Sequence, residues 1–167
     1  MLLQTQRLNL REFQLSDAAF VLRILNEPSF LKFIGDRKVR TIDDARLYIS
    51  NRFIASYEKN GYGLYMVEVK EGSPIGMCGL VKRDPVEDPD VGFAFVPEAW
   101  QRGYGYEAAS AVIEYARNTL QLKRVLGITI PENTASIKTL EKTGLKFLRA
   151  DVTKDTNEAI HVYEIIM

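Results

Sequence analysis

From Asp90 to Ala108 the chain reads as strand, glycine turn and helix start, and no other stretch constrains its fold as tightly. Val91 to Val96 is apolar and rich in strand formers. Trp100-Gln101-Arg102-Gly103-Tyr104-Gly105-Tyr106-Glu107-Ala108 follows, after which Ala108, Ala109, Val112, Ile113, Ala116 and Leu120 recur at helical spacing. A strand that feeds a helix through glycines leaves backbone N–H groups converging with no side chain in the way. The first N–H groups of a helix lack internal partners, and its dipole is positive there, so the turn suits an anion. A phosphorylated ligand is expected at this point.

The remaining elements place this unit in a mixed fold. Leu8 and Leu10 alternate with Arg7, Asn9 and Arg11, which predicts a half-buried strand. Ser16 caps a helix carrying Phe20, Val21, Ile24 and Leu25, with Pro28 just beyond it. Thr41-Ile42-Asp43-Asp44 resembles a capping box, and its helix runs to Gly61 and Gly63. Tyr62 to Lys70, Ile75 to Lys82 and Val91 to Val96 are closely spaced strands, with an acidic loop, residues 84–89, before the third. After the central helix, Tyr104 to Leu120, comes Val125 to Ile130, apolar on both faces and therefore expected at the centre. Asn133 to Thr143 is a short helix closed by Gly144 in a left-handed cap. Leu145 to Val152 and Ala159 to Met167 complete the chain. The order predicts one domain over residues 1–167, of α/β (α+β) class. Its central sheet has about seven strands, mostly antiparallel, with one parallel crossover through the Tyr104 to Leu120 helix.

Taken alone, the glycine turn has three readings. Gly103-Tyr104-Gly105-Tyr106-Glu107-Ala108 satisfies the dinucleotide pattern G-x-G-x-x-A, yet only 59 residues follow Ala108 and the turn comes late in the chain. A P-loop is excluded because no Gly-Lys-Ser/Thr is present. A glycine connection that merely permits tight packing binds nothing.

The wider pattern narrows the choice. Asp90-Val91-Gly92-Phe93-Ala94-Phe95-Val96-Pro97 with Trp100 to Ala108 resembles the acetyl-CoA motif of the GNAT N-acetyltransferases, and within them the ribosomal-protein-alanine acetyltransferase-like branch. Asn133-Thr134-Ala135-Ser136 through Gly144-Leu145-Lys146-Phe147 resembles the second motif of that branch. Thr5-x-Arg7-Leu8-x-Leu10-Arg11 is similar to its N-terminal strand. Trp100 departs from the Arg or Gln usual in the superfamily, and an aromatic is common there in this branch.

The resemblance implies a GNAT-like sheet splayed beside the Val91 to Val96 strand, with acetyl-CoA across that strand's end as co-substrate. The pyrophosphate would sit on the N–H groups of Arg102, Gly103, Tyr104, Gly105 and Tyr106. The pantetheine arm would pair with backbone at Phe95 and Val96, with an N–H near Phe95 as oxyanion donor. Asn133 would bind the pantetheine, and Ser136 would protonate the leaving thiolate. Both also read as ordinary helix-start residues. Asp90 is the candidate base, directly or through water, although an acidic, proline-broken loop explains an aspartate equally well. Glu107 is expected to favour the helix start. His161 and Tyr163 share a strand face and are candidates to line the acceptor site, while Cys78 is expected in the core.

The implied activity is acetyl transfer to a primary amine, on a small molecule or a protein N-terminus. The alternative is a non-catalytic acyl-CoA-binding module. With 22 basic and 22 acidic residues, bulk charge gives no reason to expect nucleic acid. One Cys and one His supply no metal cage. Met1-Leu2-Leu3 runs straight into polar Gln4-Thr5-Gln6-Arg7, and no apolar run is long enough for a bilayer, so no leader or membrane partner is expected. The expectation is a cytoplasmic monomer or homodimer. The acceptor groove is assigned to Phe30 to Arg40, the 84–89 loop and Asp155 to His161, with Glu87 and Asp88 attracting a cationic substrate.

Overall fold

The computed structural model describes residues 2–84 and 86–167. Met1, and Pro85 of the expected acidic loop, lie outside the described residues. β1 (Leu3–Gln4) and β2 (Leu8–Arg11) pair antiparallel. A helical segment follows with α1 (Ala18–Leu25), α2 (Pro28–Phe33), α3 (Ile42–Tyr48) and α4 (Ala55–Asn60). β3 (Leu64–Val69), β4 (Pro74–Val81) and β5 (Asp90–Phe95) form an antiparallel meander. α5 (Tyr104–Asn118) then crosses to β6 (Arg124–Thr129), which runs parallel to β5. α6 (Thr134–Lys142) leads to β7 (Lys146–Val152) and β8 (Ala159–Ile166), and β8 lies between β6 and β7. The sheet has eight strands in the order β1-β2-β3-β4-β5-β6-β8-β7.

The mixed, mainly antiparallel sheet and its single parallel crossover match the sequence expectation. The eighth strand is β1, whose two residues are too short to display a period. β2 is buried on both faces rather than one: Leu8 and Leu10 are fully covered, and even Asn9 is 9% exposed, its Oδ1 accepting from Lys70 Nζ at 3.0 Å. Pro28 opens a helix instead of following one. Its fixed φ and missing N–H suit the first helical position, so Pro28 begins α2.

Capping follows the sequence at α3 and α6, whereas α1 takes Asp17 rather than the expected Ser16 as its N-cap, with no side-chain bond at that start. Thr41 Oγ1 accepts from the Asp44 N–H at 3.0 Å, and Asp44 Oδ2 accepts from the Thr41 N–H at 3.1 Å. Gly144 adopts φ 97° after α6. The expected long helix from Thr41 is continuous but not uniform, because Ile49–Ile54 widens into a π-helical stretch between α3 and α4. Such widening is frequent at functional positions.

Candidate active site

The described pairing of β5 with β6 is limited to Asp90 opposite Leu126, reinforced by the Leu126 N–H to the Pro89 carbonyl at 2.9 Å. Beyond that step the two central strands diverge. Backbone direction alternates along a strand. The Val96 N–H donates to the Ile75 carbonyl at 3.0 Å, so even-numbered residues of β5 turn their backbone groups toward β4. Odd-numbered residues turn theirs toward the gap. Phe93 and Phe95 therefore present N–H and C=O groups along an edge where no strand is paired, and both stay half-buried although mid-sheet.

The backbone of Val96 is already engaged within the protein. Val96 has no backbone group left for a pantetheine arm: its N–H goes to Ile75, and its carbonyl accepts from the Ala99 N–H at 2.9 Å. Phe93 shares the orientation of Phe95 and lies nearer the apex. The Phe95 carbonyl already accepts from Trp100 Nε1 at 2.8 Å, leaving its N–H for a ligand.

At the open end of the gap stands the glycine turn. Gly103 is the N-cap of α5 with φ 80°, and no side chain caps this helix, whereas Thr41 caps α3 and Asn133 caps α6. A Cβ on Gly105 would lie 3.7 Å from Phe95 Cε2 and 3.8 Å from Thr139 Cγ2. The turn, the end of β5 and the face of α6 thus meet at one point. The Arg102 side chain is exposed and makes no ion pair among the described residues. Tyr104 carries the Arg7 guanidinium 4.5 Å from its ring, and Tyr106 carries Lys142 Nζ at 4.4 Å.

Arg7 and Glu107 form a latch across this turn. Glu107 Oε1 accepts from Thr5 Oγ1 at 2.6 Å and from the Arg7 N–H at 2.9 Å, while Oε2 accepts from Arg7 Nε at 2.6 Å. Arg7 Nη1 reaches the Arg102 carbonyl at 2.8 Å. Burial works against the Glu107 charge, but the bonds from Thr5 and Arg7 outweigh it and hold the carboxyl below its ordinary value. Sequence reasoning gave Glu107 only a helix-dipole role. The available signal was Thr5-x-Arg7 itself, read as part of a strand pattern rather than as a partner of a residue a hundred positions away.

Asp90 sits at the apex, 3% exposed, with Arg83 Nε 2.6 Å from Oδ1. At about 3.4 Å per residue it is roughly 17 Å along β5 from Phe95. Burial pushes its carboxyl up, and Arg83 only partly counters that. A carboxyl raised in the fold favours stability most below its ordinary value of 3.8 and loses that contribution as pH rises through its folded value. Removing Arg83 widens this window. Arg83→Met is therefore expected to melt close to the parent at pH 4 and well below it at pH 8. The loss should stay under the about 3–5 kcal/mol typical of a fully buried pair, because Arg83 is half exposed. A melting difference independent of pH would show that Asp90 does not carry it.

Of the two acidic-loop carboxylates expected to attract a cation, Glu87 is exposed with no side-chain partner among the described residues, whereas Asp88 is already engaged. Asp88 is bound by Arg124 at 2.7 Å, and Asp84 lies 4.0 Å from Lys59. On α6, Asn133 Oδ1 accepts from the Ser136 N–H at 3.2 Å, so the capping role is realised, and Ser136 stays part-exposed. Tyr163 does not line an open acceptor groove. It is 3% exposed and pairs with Gly127, whose missing Cβ makes room for Leu140 and Leu145. His161 meets Phe147 edge-on at 5.2 Å. Cys78 is fully buried in β4, and burial pushes its thiol up, which fits a core role.

A splayed parallel pair with an uncapped glycine turn at its mouth is the arrangement the sequence resemblance implied, and residues 7–146 match the acetyltransferase (GNAT) domain family. The chain belongs to the GNAT acetyltransferase family. It is an acetyltransferase, and the family uses acetyl-CoA. A relative, the uncharacterised N-acetyltransferase p20 of Bacillus licheniformis, is 28% identical over 160 residues, covering 94% of this chain and 88% of its own. A GNAT-family acetyltransferase of Bacillus anthracis superposes with TM-score 0.83 at 24% identity, over 99% of this chain and 98% of that one. The ribosomal L7/L12 α-N-protein acetyltransferase RimL, solved with coenzyme A, gives TM-score 0.85 at 14% identity, over 99% and 97%. Ribosomal-protein acetyltransferases are thus among the neighbours of this GNAT fold. Among the described residues no helix is long and apolar enough to cross a membrane, and no group of three metal-ligating side chains comes together.

Proposed function

We propose that this enzyme moves the acetyl group of acetyl-CoA directly to a primary amine, on a small molecule or a protein N-terminus. The observation that carries this is the gap between β5 and β6 with the α5 turn at its mouth. The pyrophosphate rests on the uncapped N–H groups around Gly103 and Gly105. The pantetheine arm runs inward as a surrogate strand along Phe95 and Phe93, which leads the thioester toward the apex. The Phe93 N–H then polarises the thioester carbonyl, the task the sequence assigned near Phe95.

The neutral amine attacks the thioester carbon. A C–N bond forms, the carbonyl electrons move onto oxygen, and their return breaks the C–S bond. Asp90, three residues or roughly 10 Å along β5 from Phe93, takes the proton lost by the amine through intervening water. Its raised affinity for a proton suits a base better than an ordinary carboxylate would. Ser136 gives its hydroxyl proton to the departing thiolate and regains one from water. Asn133 orients that helix start and offers its amide N–H₂ to the pantetheine.

A thiol-release assay with acetyl-CoA against amines, amino acids, polyamines and N-terminal peptides tests the proposal. Release with at least one amine is expected. CoA binding without release for any of them would return the chain to a binding module. Ser136→Ala should lower kcat by about tenfold or more while leaving CoA affinity unchanged, as loss of a general acid does. Full activity in that variant removes Ser136 from the mechanism.

A further inference from the structure

A cleft of about 240 Å³ lies between the segment after α2 and the α3–π-helical segment, lined in part by Arg37, Lys38, Asp44, Tyr48, Asn51 and Arg52. Its charge is lopsided. Asp44 is occupied at the start of α3, accepting from the Arg40 and Thr41 N–H groups at 3.0 and 3.1 Å. The three cations have no such partners. In a chain of balanced charge, most arginines of the described structure sit in ion pairs, including Arg40 with Asp36 and Arg46 with Asp43. The side chains of Arg37, Lys38 and Arg52 make no hydrogen bond or ion pair among the described residues. Arg102, at the mouth of the CoA gap, is in the same condition.

Two backbone irregularities bring these cations together. The π-helical stretch carries Asn51 and Arg52, and its wider turn changes where they emerge from the helix. Lys38 lies in the left-handed region at φ 57°, an uncommon conformation for a residue with a Cβ. One wall of the cleft also comes near the Arg83–Asp90 pair. Tyr48, on its wall, lies near enough to Arg83 to act on that guanidinium electrostatically, and Arg83 grips Asp90 at the apex of the splay.

We infer that this cleft is an anion subsite for the acceptor, so that the amine receiving the acetyl group also carries a carboxylate or phosphate held by Arg37, Arg52 and Lys38. Paired guanidinium groups suit such oxyanions, and a cationic wall repels a polyamine. The inference rests on the acetyl-transfer proposal and narrows its acceptor from any primary amine to an acid-bearing one.

The test uses matched amines that differ in the acid group: leucine against leucinamide, and phosphoethanolamine against ethanolamine. Thiol release is followed for the intact protein and for Arg37→Gln and Arg52→Gln, with Arg46→Gln as a control away from the cleft. The expected result is at least about a tenfold kcat/KM preference for one acid-bearing member of a pair, the two pairs separating carboxylate from phosphate. Each cleft variant should lower that preference severalfold through KM, with CoA affinity unchanged. Equal use of both members, a preference for neutral amines or spermidine, or an unchanged preference in the variants would overturn the subsite. Calorimetric titration of the CoA-loaded protein with the same four amines decides the matter if none turns over. Acid-dependent binding lost in Arg37→Gln would uphold the subsite while the transfer proposal fails, and its absence would sink the subsite.

Discussion

Gly105→Ala is expected to raise the melting temperature of the free enzyme and to weaken coenzyme A binding at the same time. Gly105 lies in the first turn of α5 at an ordinary φ, so the backbone does not require glycine there. Nor does the protein's own packing, because an added Cβ would lie 3.7 Å or more from any neighbour. Alanine in place of a helical glycine typically contributes about 0.5–1 kcal/mol, which for a chain of this size is roughly 1–4 °C. The remaining reason for glycine is the space above its N–H, where a phosphate oxygen would come closest. A methyl group there should cost about tenfold or more in Kd, near 1.4 kcal/mol. Differential scanning calorimetry of the free protein and titration with coenzyme A read the two effects separately. A variant that gains stability and keeps its CoA affinity would place the phosphates elsewhere. Gly103→Glu is the harsher companion. At φ 80° any side chain is strained, and a carboxylate among these N–H groups competes with the ligand, so CoA binding should disappear.

The legible parts of the molecule were those written in local chemistry. The strand–turn–helix from Val91 to Ala108 shows its period change and its glycines in one short stretch, and the Thr41 and Asn133 caps need only their own neighbours. The site's long-range half was harder to read. Nothing near Asp90 in sequence says that Arg83 will close on it, and Glu107 meets Thr5 and Arg7 only because α5 crosses back over the start of the sheet. The backbone direction at Val96 was hidden for a subtler reason. Its side chain looks like the rest of the strand, but which way its N–H points depends on strand register, and the Ile75 bond that fixes it lies in another strand. The cleft at Arg37 and Arg52 depends on a π-helical widening that the apolar period through Ile49 and Phe53 does not reveal.

Glu107→Gln should uncouple the turn from the sheet, and pH should show it. The carboxylate holds three donors, and its side chain is 17% exposed against 43% for Arg7. Hydrogen bonds to a charged group are typically about 1.5–3 kcal/mol, and the exposure of Arg7 places this latch toward the low end. The folded-state value of Glu107 lies below its ordinary 4.5, so its contribution is complete above that pH and is lost as pH falls through the folded value. The melting gap between parent and variant is therefore widest near pH 7 and closes in acid. The gap for Arg83→Met also opens as pH rises, but only above 3.8, through the raised range of Asp90, whereas that of Glu107→Gln closes below 4.5, so the pH at which each gap opens tells the two carboxylates apart in one series of melts. The latch also bears on the ligand. Arg7 ties the Arg102 carbonyl and covers Tyr104, two residues of the phosphate turn, and it depends on Glu107 for its own position. Glu107→Gln should consequently weaken CoA binding severalfold at pH 7, with kcat at saturating acetyl-CoA nearly unchanged. A stability loss with unaltered CoA affinity would make the latch a brace for the N-terminal strands alone.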